Sequence, residues 1–435
     1  MLRDTISLQA SLEKSPLVDR LLPLARQQKL YLVGGAVRDG LSGLVVKDLD
    51  VISPTDPTDL ARTFARDIGG HWFWLDEARQ QSRVVVDHQK LSRHFDFAPF
   101  RGDGIEADLC DRDFTVNAMA IALEKGGLGA TLIDPCDGAA DLRQKILRMV
   151  SPEAFVNDPL RIVKGVRHAT ILDFAIASST LAAMQTHAVA LLTVAPERIR
   201  QEVWQILGAD QAARGLDLLL QSGAGPVVLH AEYQSAVPWM QDRLGTCRKR
   251  WLQLADGDPV VREWLQSEIE QGLTRSVLVL WSLLLQKLEP QLPLNLARQW
   301  LLSRKTQMSI EAILELGPAV LEQVRTLAPS QRTFHWLAYD CRVDPQLLLL
   351  VLVVLDFDDR FEISEVLSWV PLVKGLSGRP KDLVDGEWIK REFALENGPE
   401  ISRILKSLRN AEMCGQVSTP AEARRYLRQR ARDKD

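Results

Sequence analysis

Apolar residues follow one rhythm in the first third of the chain and another in the rest, and the change falls near residue 140. In the first part they come in short runs edged by turn formers. Leu30-Tyr31-Leu32-Val33 reads as a strand broken by Gly34-Gly35, and 36–41 reads as the start of a helix. A second strand is expected over 45–52. Two more are expected at 83–87 and 94–97, where β-branched and aromatic residues lie near turn residues. The run Trp72-Phe73-Trp74 is expected in the core. Further on, apolar positions recur at helical spacing in 158–168, 197–207, 209–221 and much of 260–360. The pattern implies an α/β head with a small mixed sheet (1–145), followed by an all-α neck (146–208), body (209–370) and tail (371–435). Residues 223–226 and 375–380 read as linkers.

A length of 435 residues exceeds one compact core and fits two to four domains. With 46% hydrophobic and 25% charged residues the chain is globular rather than disordered. A net charge of −4 does not announce a nucleic-acid partner, so any basic footprint must be local. The five cysteines (Cys110, Cys136, Cys247, Cys341 and Cys414) form no CxxC pair and are odd in number. That argues against a disulfide framework or a thiolate zinc site and fits a reducing, cytoplasmic setting. The N-terminal segment lacks the apolar run of a signal peptide. The most apolar stretch, 347–355, is too short to span a bilayer and is expected to be a buried helix, so no membrane partner is implied.

The candidate chemistry sits in Leu32-Val33-Gly34-Gly35-Ala36-Val37-Arg38-Asp39, followed by Lys47-Asp48-Leu49-Asp50. On a strand, residues i and i+2 share a face, so Asp48 and Asp50 would project side by side. Such carboxylates repel, and one protonates unless a cation neutralises them. Mg²⁺ suits hard oxygen ligands and nucleotide phosphates, and a pair of such ions can activate a hydroxyl and stabilise a leaving pyrophosphate. Gly34 and Gly35 at a helix start would turn backbone N–H groups to a triphosphate, with Arg38 in support. Each part alone has a plainer reading: a solvated strand carboxylate, a turn, a surface arginine. Their order, strand, Gly-Gly, helix, strand, DxD, is what points to chemistry.

The string LVGGAVRDGLSGLVVKDLDVI resembles the first motif of the class II tRNA nucleotidyltransferase and bacterial poly(A) polymerase family. Four more segments agree in order. They are Asp108 to Met119 (DLCDRDFTVNAM), Ile133-Asp134-Pro135 with Gly138 and Asp141-Leu142, Asn157-Asp158-Pro159-Leu160-Arg161, and Pro196-Glu197-Arg198-Ile199 with Glu202. The resemblance covers roughly residues 28–225 and returns at 398–406. It implies a head of the nucleotidyltransferase type, with Asp48 and Asp50 holding the metals. Asp96 is either a third acid of the site or an ordinary strand carboxylate. Arg112, Asp113 and Asn117 would bind sugar and triphosphate, with Arg112 alternatively an ion-pair partner of Asp108 or Asp113. Asp158 and Arg161, three apart on one helix face, would read the incoming base by hydrogen bonds shared by cytosine and adenine; otherwise they are a surface pair. Asp111, Asn157, Lys164 and His168 depart from the family pattern.

Only six residues, 102–107, separate Arg101 from Asp108, where members that build a whole CCA end carry a longer flexible loop. The shortness favours addition of CC. Aromatics are 6% of the chain, so RNA is expected to be held by backbone and shape rather than stacking. Basic groups that could do this are Arg403, Lys406, Arg424 and Arg425, with Arg409, Arg428, Arg430 and Arg432 nearby, and Arg243, Arg248, Lys249 and Arg250 in the body. The expected function is template-independent addition of CMP to the 3′ end of tRNA, as CC or full CCA, from CTP or ATP with Mg²⁺. A poly(A) polymerase and a catalytically silent RNA-binding protein are the alternatives. Oligomeric state is left open.

Overall fold

The computed structural model describes residues 16–432 apart from 45, 47, 89–90, 230–232, 286–291, 317–323, 325–326, 328, 356–361, 377 and 397. Lys47 of the first motif and the N-terminal segment 1–15 therefore lie outside the described residues. The chain forms two compact units, Met1–Val194 with Leu218–Val228, and Ala195–Asp217 with Leu229–Asp435.

The first unit is built on a seven-stranded sheet. Its strands and the helices between them are β1 (Leu30–Val33), α1 (Gly35–Leu41), β2 (Leu49–Ser53), α2 (Thr58–Ile68), β3 (His71–Asp76), β4 (Gln81–His88), β5 (Leu91–Pro99), α3 (Ile105–Cys110), β6 (Ala120–Glu124) and β7 (Gly127–Ile133). The spatial order is β3-β4-β5-β2-β1-β6-β7. Only β2 and β5 pair in parallel, which makes the sheet mixed as expected. Alternation sorts the side chains. Leu32, Val51, Val84, Phe95 and Phe97 join Phe64 and Ala61 of α2 in the main core on one face. Tyr31, Val33 and Ile52 lie on the other face, beside Leu109 of α3.

Two expectations are corrected here. Trp72-Phe73-Trp74 is core only in part: Trp72 packs partly buried against the main core, but on the edge strand β3 Phe73 is 43% exposed. The Arg62 guanidinium lies 4.4 Å from the Trp72 ring centre, so this edge is capped by a charged side chain. The segment 223–226 is not an open linker either, since a helix spans Ala224–Val228.

The second unit is mostly helical. The apolar run becomes the helix Pro345–Leu355, with residues 347–353 at most 1% exposed. No helix among the described residues is long and apolar enough to cross a membrane. Near the end of the unit, Glu412 is 4% exposed on the helix Pro399–Met413. Its Oε2 accepts from Arg332 Nη2 at 2.7 Å and Trp336 Nε1 at 2.9 Å, both on the helix Gln331–Asp340. Replacing it by Ala removes the acceptor of Trp336 Nε1 and of Arg332 Nε, while Arg332 Nη2 keeps the Lys381 carbonyl oxygen. We expect Glu412→Ala to lower unfolding free energy by about 2–4 kcal/mol in urea melts, and no change would deny this contact its structural role.

Candidate active site

The same alternation that builds the core decides where the acids go. Leu49 and Val51 fill the main core, so Asp50 points to the opposite face with Ile52. Phe95 and Phe97 likewise send Asp96 to that face, and Val84 sends Arg83. Register completes the row: Asp50 pairs with Asp96 across β2 and β5, and Asp96 with Arg83 across β5 and β4. Asp48 immediately precedes β2 rather than lying within it. Its side chain is 62% exposed, with His94 Nδ1 3.5 Å from its Oδ1.

Asp48, Asp50, Asp96, Arg83, Gly34, Arg112, Asp113 and Asn117 all line one cleft of about 710 Å³. Gly34 lets its floor come close. Its φ of 68° lies in the left-handed region, and a Cβ there would sit 2.9 Å from Asp50 Oδ2 and 3.2 Å from Arg112 Nη1. Asp108, nearly fully buried, takes Arg112 Nε and Nη2 on Oδ2 at 3.1 and 3.0 Å. The expected ion-pair alternative is thus realised with Asp108, while Arg112 still faces the cleft. Arg38 Nη1 donates to Asn117 Oδ1 at 2.7 Å, and Asn117 Nδ2 donates to Asp113 Oδ1 at 3.1 Å. This chain ties α1 to the segment after α3. The turn at 134–138 serves the same segment. Asp134 caps the next helix, Gly138–Gln144, through the Gly138 and Ala139 N–H groups, and Asp141 accepts from Thr115 Oγ1 at 2.7 Å. A Cβ on Gly138 would lie 2.1 Å from the Thr115 carbonyl oxygen, so only glycine fits.

Asp158 and Arg161 depart from their expected placement. Asp158 is extended (φ −146°, ψ 96°) and precedes the helix Leu160–Leu172, so the two do not share a helix face. Asp158 Oδ1 accepts from Leu160 N, and Arg161 donates to the carbonyl oxygens of Asp111 at 2.8 Å and Arg112 at 3.3 Å. Neither lines the cleft; His168, Ile171 and Leu172, later on that helix, do. Burial, with Arg167 beside it, holds the His168 imidazole well below its ordinary pKa, so it is neutral. Arg83 and His94 are site residues that sequence reasoning missed.

In the second unit Arg403 and Lys406 line a hollow with Tyr426 and Arg430. Arg424 is exposed 5.5 Å from the Trp388 ring centre, and Arg425 is exposed. Arg250 is buried, and Arg248 pairs with Asp210 at 2.9 Å, so the basic cluster of the body is partly structural.

The electrostatics ask for a cation. Burial, as the largest cause, pushes the Asp50 carboxyl up to about 6; Arg112 opposes this, and the charges of Asp96 and Asp48 add to it. Asp96 has both oxygens held by Arg83, at 2.7 and 2.8 Å. Two carboxylates with oxygens facing a cleft, a raised pKa and a glycine cradle suit a divalent ion completed by substrate phosphates.

Residues 30–148 match the family described as poly A polymerase head domain, and 173–231 the one described as probable RNA and SrmB-binding site of polymerase A. The CC-adding tRNA nucleotidyltransferase of Geobacter sulfurreducens is 33% identical over 95% of both chains. The CCA-adding enzyme of Streptococcus mutans is 28% identical over 90% of this chain and 91% of that one. In fold, the chain is similar to the Thermotoga maritima CCA-adding enzyme complexed with tRNA, with a TM-score of 0.64, 20% identity and coverage of 95% and 94%.

Proposed function

Because the chain belongs to the tRNA nucleotidyltransferase and bacterial poly(A) polymerase family, we propose that it adds CMP to the 3′ end of tRNA and stops after CC. The observation that carries the enzymatic reading is the cleft where Asp48 and Asp50 stand beside Gly34 and Arg112. Mg²⁺ is the ion assigned to Asp48 and Asp50, and when bound it supplies the positive charge that activates the RNA 3′-hydroxyl and neutralises the leaving pyrophosphate.

The protein's own groups do the rest. Gly34 and Gly35, at the start of α1, offer backbone N–H groups to the triphosphate. Arg112, fixed by Asp108, points a guanidinium at the same place, already oriented before substrate arrives. Arg38, Asn117 and Asp113 brace the wall that faces the sugar. Asp96 adds a fixed negative charge beside Asp50. Asp158 and Arg161 remain proposed as base-reading groups, with Arg161 donating to the Asp111 and Arg112 carbonyl oxygens. Arg403, Lys406, Arg424 and Arg425 are proposed to hold the tRNA backbone. The free cysteines accord with a cytoplasmic setting.

CC addition is supported by the segment between Arg101 and Asp108. Residues 105–107 already belong to α3, and Asp108 Oδ1 accepts from Arg101 N at 3.0 Å. That closes the interval on itself and leaves little chain to reset a pocket from one nucleotide to another. The test incubates tRNA lacking its last three nucleotides with CTP, with ATP, and with both, and reads product length. Two added residues with CTP and no more with both are expected. Three would make this a CCA-adding enzyme, and long adenylate tails a poly(A) polymerase.

A further inference from the structure

Five carboxylates line the cleft, and the three gathered at β2 and β5, Asp48, Asp50 and Asp96, are not equivalent. Among the described residues no group of three or more His, Cys, Asp or Glu side chains is gathered closely enough to hold one metal ion. Asp48 and Asp50 open on the cleft, whereas Asp96 presents both oxygens to Arg83 in a two-pronged pair at 2.7 and 2.8 Å. The pair is set by strand register, Arg83 directly opposite Asp96 across β4 and β5, with Asp50 directly opposite Asp96 on the far side. Both side chains are about one-third exposed, at 31% and 29%, so the pair is reachable from the cleft it lines. A guanidinium is the side chain that can occupy two carboxylate oxygens at once; an ammonium offers a point charge and leaves one oxygen free.

We propose that Arg83 is a positioning residue that holds Asp96 off the metal, so that Asp48 and Asp50 bind the ion with two carboxylates rather than three. The point of such a clamp is the strength of the site. A third carboxylate released beside Asp50 would add a full negative charge and two oxygens to the ion's surroundings. That tightens binding of the bare cation and draws it toward β5, away from the triphosphate that must share it. The clamp keeps the ion weakly held by the protein and dependent on the nucleotide.

The inference rests on the assignment of the metal to Asp48 and Asp50, and the experiment separates the two. Mn²⁺, as a spin probe, is titrated into the free protein without nucleotide or RNA and the bound fraction read by electron paramagnetic resonance. Wild type, Arg83→Gln, Arg83→Lys, Asp96→Asn and the double variant Arg83→Gln/Asp96→Asn are compared, and thermal melts show which variants are folded. Arg83→Gln is expected to bind Mn²⁺ roughly tenfold more tightly than wild type, the scale of one charged hydrogen-bonded pair, and to turn over more slowly. Arg83→Lys should fall between, and the double variant should bind no more tightly than wild type. Unchanged Mn²⁺ affinity in folded Arg83→Gln, or tightening that survives in the double variant, overturns the role given to Arg83. A raised KM for CTP at unchanged Mn²⁺ affinity would make Arg83 a triphosphate ligand instead and also overturns it. Absence of Mn²⁺ binding in wild type and Arg83→Gln alike, with CTP present as well as without it, would remove the metal assignment and this inference with it.

Discussion

Asp50→Asn is expected to cut CMP incorporation by roughly a thousandfold or more while making the metal-free protein more stable. Both effects come from one carboxyl. In the folded protein, burial and the neighbouring charges of Asp96 and Asp48 push it up to about 6 from an ordinary 3.8, against the opposing pull of Arg112. A carboxyl whose folded pKa is raised binds its proton more tightly in the native state than in the unfolded chain. Native stability therefore falls as pH rises from about 4 to about 6, and stays lowered above that range, where both states are ionised. Asn has nothing to ionise. The melting temperature of Asp50→Asn should match that of wild type near pH 4 and exceed it increasingly up to pH 6, with a constant excess beyond. Added Mg²⁺ should restore the wild type at pH 7.5 and leave the variant unmoved. A variant destabilised at pH 7.5, or one that still extends tRNA, would contradict this role.

The second large effect is expected at Gly34. Alanine there must adopt φ near 68°, which costs on the order of 1–3 kcal/mol for a residue with a Cβ. The new methyl group would press on Asp50 Oδ2 and Arg112 Nη1 together, at 2.9 and 3.2 Å. Neither can retreat easily, since Asp50 is fixed on a strand between β1 and β5 and Arg112 is held by Asp108. Gly34→Ala should therefore weaken CTP binding and turnover together, by roughly a hundredfold in kcat/KM, with a modest loss of thermal stability. Gly35→Ala is the control: a Cβ there meets nothing closer than 3.5 Å, and its activity should stay within a few-fold of wild type. Equal losses at both glycines would mean that the turn acts through flexibility, not through close approach.

Much of the site was legible in the sequence because it is written in local periods. The strand Leu30–Val33, the Gly-Gly break and the helix Gly35–Leu41 lie where the apolar runs and turn formers put them. Asp50 and Ile52 share a face because strand parity requires it. What the sequence could not carry was long-range register. Arg83 and Asp96 each read as an ordinary strand residue, and only the pairing of β4 with β5 brings them together. A partial signal was present, since Val84 and Phe95 are apolar neighbours of opposite parity to both. Helix starts were the other loss. Asp158 and Arg161 are three apart, yet Pro159 stands between them and the helix begins only at Leu160, so the face they were expected to share does not form. The tryptophan-rich run on β3 joins the core only through Trp72, because hydrophobic identity does not reveal an edge. Its place at the end of the sheet order, with Arg62 laid over Trp72, explains why it is half-exposed.

The most direct measurement is anomalous diffraction at the manganese edge from crystals grown with CTP and Mn²⁺. Density for the ion between the carboxylates of Asp48 and Asp50 and the nucleotide phosphates, with Asp96 still gripped by Arg83, is the expected result. An ion seated elsewhere, or those two aspartate side chains turned apart with the triphosphate bound, would contradict the account.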